Sequence, residues 1–142
     1  MIKTTVGTIV RATQTGAFGR FLSCERPAPL AWKNRKLAAA LNVELGHYNT
    51  ARVELCEKFC RKDEEGKAVK DPSGNYLFDN EEKTTLIIVN PGPQRTAFQL
   101  AHDELLKREV DDLPGDAVKI SDLSGSLSTA DCELLADAFI TD

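Results

Sequence analysis

LAWKNRKLAAALNVELGHYNTARVELCEKFCRKDEEG, residues 30–66, decides the fold. From Leu30 to Arg61 the run reads as one helix, and at about 1.5 Å per residue it makes a rod of roughly 48 Å. Leu37, Leu41, Leu45, Tyr48, Leu55 and Phe59 fall at steps of mostly three and four and form one apolar seam. Arg52 stands where a further apolar residue was due, with Ala51 beside it. Leu30, Trp32, Val43 and Val53 put apolar groups on other faces. Such a rod is longer than a small domain needs, so it calls for another helix, or another copy of itself, to cover it. Gly46, near its middle, marks a kink or a close crossing. The rod ends in an acidic glycine turn, Lys62-Asp63-Glu64-Glu65-Gly66.

Upstream, Val6, Ile9, Val10, Thr13, Ala17, Phe18, Phe21 and Leu22 have helical spacing, which predicts an amphipathic helix over residues 5–22. The alternative is a strand over Thr5–Ala12, where Val, Ile and Thr abound. Cys24-Glu25-Arg26-Pro27-Ala28-Pro29 then connects two antiparallel helices. Downstream, Lys67–Lys70 and Asn75–Phe78 flank Asp71-Pro72-Ser73-Gly74, a type I turn in a β-hairpin. Thr84–Val89 reads as a buried strand, broken by Asn90-Pro91-Gly92-Pro93. A helix is predicted near Gln94–Arg108, and Val110–Leu123 is loop or strand. Ser128 caps a last helix with Asp131 at its third position, and Leu134, Leu135, Ala138 and Phe139 are its buried side. No internal repeat stands out.

The expected class is therefore α+β: a long antiparallel helical hairpin, a small antiparallel β-hairpin or sheet, and two shorter C-terminal helices. The 142 residues suit a single domain with one core. Charge divides it. Residues 1–61 hold ten Lys and Arg against four Glu, a net of +6, and residues 62–142 hold eight against eighteen acids, a net of −10. Such polarity favours head-to-tail contact between copies, or attraction between the halves within one fold. An apolar fraction of 42% is that of a globular protein, no apolar run nears the roughly 18–20 residues a membrane span needs, and no membrane partner is expected. The N-terminus shows no apolar signal segment, which reads as cytosolic.

Residues 27–127 resemble a family of small proteins of tailed bacteriophages and prophages. The resemblance lies in Pro29-Leu30-Ala31-Trp32-Lys33-Asn34, the long helix, Glu57 through Lys67, the hairpin at Asn75-Tyr76, and Val118-Lys119-Ile120-Ser121-Asp122-Leu123-Ser124-Gly125. The chain departs from the family at Thr84–Pro93, where the family has helix. The resemblance implies viral origin and action in the cytoplasm of an infected bacterium. It carries no activity with it.

Chemistry is sparse. Cys24, Cys56, Cys60 and Cys132 read as reduced, packed thiols without a metal, since a C-x-x-C spacing is missing. His47 and His102 have no triad geometry, and no phosphate-loop, metalloprotease or nucleophile-elbow motif occurs. No cofactor is implied and no enzyme is expected. One cluster stands apart: Arg20, Arg26, Trp32, Lys33, Arg35 and Lys36. Cations at a helix start, where the dipole is already positive and N–H groups are free, make an anion site, and Trp32 can stack on a base. The plainer reading is a solvated turn whose charges pair with the acidic half. Duplex DNA is not expected at pI 5.2. The leading function is a non-catalytic phage accessory protein that self-associates and antagonises a host factor or assists virion assembly. The alternative is an anti-defence protein that sequesters a phosphate-bearing nucleotide at the basic cluster.

Overall fold

Thr5 is where the chain turns from strand to helix. It ends strand β1 (Ile2–Thr5) and caps helix α1 (Val6–Gln14), its hydroxyl accepting the Thr8 amide at 3.2 Å. This computed structural model describes residues 1–81 and 91–142. They form two units, Met1–Tyr48 with Leu106–Asp142, and Asn49–Leu105. No helix among the described residues is long and apolar enough to cross a membrane.

In the first unit, the single helix expected over residues 5–22 is divided. Helix α2 (Ala17–Ser23) starts anew after Gly16, whose φ of 79° ends α1 in a left-handed turn that a side chain resists. The strand alternative holds only as far as Thr5, and Val6–Ala12 are helical. Helix α3 (Ala28–Phe59) is the long rod. An antiparallel helical hairpin between it and residues 5–22 is not clearly formed, because its intended partner is broken in two and α1 packs with α2 and α5 (Thr129–Leu135).

The rod's seam holds in this unit: Leu37, Leu41 and Tyr48 are buried and Leu45 half-buried. Helix α4 (Pro93–Lys107) leads into strand β2 (Glu109–Leu113), which pairs antiparallel with β1, Ile2 opposite Leu113 and Thr4 opposite Val110. Strand β3 (Val118–Lys119) runs parallel to β4 (Ile140–Thr141). Ser128 caps α5 as expected, with Asp131 returning the bond to the Ser128 amide. The helix stops at Leu135, earlier than its apolar pattern suggests, since Ala136 is extended and Asp137 has φ 66°. That turn swings Phe139 into the core, edge-on to Phe18 at 5.0 Å and Phe21 at 6.4 Å.

The second unit is built on the last turns of α3. Cys56, Cys60 and Phe78 are buried together, flanked by Phe59, Ala68, Tyr76 and Phe98. The Phe98 ring of α4 lies 5.1 Å from that of Phe78. The expected hairpin at 67–78 is reduced to a single bridge, Lys70 to Tyr76, and a second bridge, Lys62 to Ala68, closes the turn before it. An eight-residue repeat, missed in the sequence, explains it. Lys62-Asp63-Glu64-Glu65-Gly66 and Lys70-Asp71-Pro72-Ser73-Gly74 make the same turn, each Asp Oδ1 accepting the amides two and four residues on at 2.9 Å. Both close on a glycine of positive φ, 81° and 85°. Arg61, Val69 and Leu77, eight apart, then join in a ring of main-chain bonds of 2.9–3.0 Å. The strand expected at Thr84–Val89 lies outside the described residues.

Candidate functional site

The basic cluster is the site to test, and the structure gives its members three different fates. Arg20, on α2, is spent within the fold. Its Nε and Nη2 each lie 2.7 Å from one oxygen of Asp131, and Nη2 also donates to the Thr15 carbonyl at 2.8 Å. Asp131 is buried, and the Arg20 bond first, with the Ser128 cap, holds its carboxyl down at about 2. A bidentate pair of this kind leaves no net charge for a ligand.

Arg26 is a clamp. It is half-buried in the connector, its Nε donating to Cys24 O at 3.1 Å, Nη1 to Asn34 Oδ1, and Nη2 to Phe21 O. Its guanidinium lies over the Phe21 ring, 4.8 Å from the centroid. Burial pushes its pKa down, and among the described residues no carboxylate pairs with it.

Trp32, Lys33, Arg35 and Lys36 are exposed on the first turns of α3. Arg35 stacks on Trp32, its guanidinium carbon 3.9 Å from the ring centroid. The helix end itself offers less than the sequence suggests. Pro29 has no N–H, and the amides of Leu30 and Ala31 both return to the Pro27 carbonyl at 3.0 Å. The free donors expected there are largely absent.

What the fold supplies instead is a groove of about 490 Å³ beside the connector, lined by Arg26, Asn34, Arg35, Glu25 and the apolar Leu22 and Ala31, with Cys24 and Ala38. Arg26 and Arg35 meet in it; Arg20, Trp32, Lys33 and Lys36 do not line it. Arg20 instead lines a second groove, of about 630 Å³, with Arg11, Ser128, Asp131 and Glu133. Asn34 and Glu25 were missed in the sequence. Asn34 had left a signal: it lies three and seven residues before Leu37 and Leu41, a polar residue on the seam itself, and it is 6% exposed.

Of the remaining reactive groups, His47 is exposed and Cys132 half-buried, and the others are packed against neighbours. His102 stacks on Phe98 at 5.6 Å, and burial lowers its pKa. All four cysteines are free thiols, and burial raises that of Cys56. The Cys60 sulfur accepts from Lys62 Nζ at 3.1 Å. Among the described residues, no three His, Cys, Asp or Glu side chains lie together as a metal site. Set against protein-family models, curated proteins and solved structures, the chain matches none of them.

Proposed function

We propose that the chain is a non-catalytic accessory protein of the kind tailed bacteriophages encode, acting by binding in the bacterial cytoplasm and self-associating through the outer face of α3. One observation carries the reading. Opposite the buried seam of Leu37, Leu41 and Tyr48, α3 presents Trp32, 65% exposed, and Val43, 55% exposed. Eleven residues apart at about 100° each, the two share one face. The exposed Ala39 and Gly46 lie on that face too, and their small size lets another backbone come close. A solvent-facing Trp on a rigid helix is the kind of side chain that anchors a protein interface.

Charge supports a second copy as the first partner. Lys33, Arg35 and Lys36 border this face without an ion pair among the described residues. Strand β2 exposes Asp111 and Asp112, a complement in another molecule. Association of that kind then serves either virion assembly or the blocking of a host factor. Sedimentation velocity over a concentration series tests the reading. The expected result is reversible association that weakens between low and physiological salt and is lost in Trp32→Glu. A species that stays monomeric at every concentration contradicts it.

A further inference from the structure

We infer that the groove beside the α2–α3 connector is a binding site for a small phosphate-bearing nucleotide, next to the protein-contact face and sharing Arg35 with its border. Asn34 lies on the inner side of α3. It is 6% exposed, its Oδ1 accepts from Arg26, and its Nδ2 donates to no described group while the residue lines the groove. Among the described residues no buried side-chain nitrogen or oxygen lacks a partner, so this amide N–H2 opens to water in the groove and can take an acceptor from outside the chain.

Arg26 supplies the charge. Three of its five N–H groups are fixed on Cys24 O, Phe21 O and Asn34, and its plane is pinned on Phe21. Two N–H groups remain, and no carboxylate among the described residues forms an ion pair with the guanidinium. A half-buried guanidinium with no directly paired carboxylate is costly, and a bound anion lowers the cost even with the Glu25 carboxylate in the same groove. Arg35 brings a second guanidinium to the same groove, its carbon 3.9 Å from the centroid of the Trp32 ring. Two guanidinium forks and an amide N–H match the oxygens of a phosphate.

The rest of the lining selects more than a bare phosphate. Leu22 and Ala31 form an apolar wall, and Glu25 places one acceptor carboxylate on the rim. An apolar surface with one acceptor suits a nucleobase that carries an exocyclic amino group. At about 490 Å³ the groove falls within the size range of small-ligand sites. The cluster foreseen in the sequence is thereby redrawn: Arg26, Asn34, Arg35 and Glu25 touch the ligand, while Lys33 and Lys36 add only field.

Trp32 is the sole tryptophan and stacks on Arg35, so its fluorescence reports on the groove. The experiment titrates the full chain with inorganic phosphate, AMP, GMP and CMP at low salt, by Trp32 fluorescence and by calorimetry. A saturable response to at least one nucleotide is expected, at least tenfold tighter than to inorganic phosphate. Arg35→Glu weakens it tenfold or more, whereas Arg11→Glu, the same charge change in the other groove, leaves it as in wild type. Calorimetry reads the Arg35 variant, whose fluorescence baseline shifts. No heat with any probe at millimolar concentration, equal affinity for phosphate alone, or equal loss in both variants overturns the site. Because monomers and oligomers are scored by sedimentation, failure here leaves the self-association reading intact, and the reverse holds too.

Discussion

Arg20 and Arg26 stand six residues apart and belong to one basic cluster in sequence, yet they do opposite work. Arg20 lies opposite a buried carboxylate, bidentate at 2.7 Å, beside a core of interlocked phenylalanines. Arg26 faces main-chain carbonyls and an amide, and opens onto a groove with Arg35. The difference teaches that cations neighbouring in sequence are sorted by whether the fold pairs them with a carboxylate. Around Arg20 the charge is neutralised and the region serves stability. Around Arg26 and Arg35 it is left over.

Breaking the first region should cost the most. Phe139→Ala removes a fully buried ring that touches Phe18 and Phe21, and is expected to cost about 3–5 kcal/mol in a denaturant melt. Asp131→Asn comes next. It removes the partner of Arg20 and weakens the cap of α5, so the melting temperature falls clearly but by less. Its pH signature sharpens the point. The carboxyl sits at about 2 in the fold and near 3.9 when unfolded, so its contribution is complete above about pH 4 and disappears as pH falls towards 2. Wild type should lose this stability across that window, and Asp131→Asn should show no such loss.

Ser128→Ala leaves the ion pair in place and takes away one cap, for an expected cost of about 1 kcal/mol. Smallest of all is Arg35→Ala, which belongs to the second region. It should change stability by less than about 0.5 kcal/mol, because the side chain is exposed and has no ion pair among the described residues. A large loss of stability in that variant would erase the contrast between the two regions.

Local chemistry was legible in the sequence. The α+β class, the long helix, the α4 segment and the Ser128 cap each rest on short-range rules of period and capping, and each is present. The buried half of the seam followed from spacing alone, at Leu37, Leu41 and Tyr48. Long-range facts were not legible. Nothing near Arg20 announces Asp131, 111 residues away. Helical periodicity carried straight across Gly16, although its left-handed backbone divides α1 from α2 and removes the expected hairpin partner. The paired K-D-x-x-G turns were visible in residues 62–74, but their kinship shows only when Arg61, Val69 and Leu77 close into one hydrogen-bonded ring. Within the basic cluster, charge alone did not distinguish the paired Arg20 from Arg26, and it obscured the buried Asn34 on the apolar seam.

The central claim is that the outer face of α3 binds protein while the fold stands without it. Sedimentation velocity of wild type and Trp32→Glu, run from micromolar to several hundred micromolar, tests it most directly. Wild type should associate as concentration rises, and the variant should be folded and monomeric with an unchanged melting temperature. A wild type that remains monomeric throughout, or a variant that associates as wild type does, contradicts it.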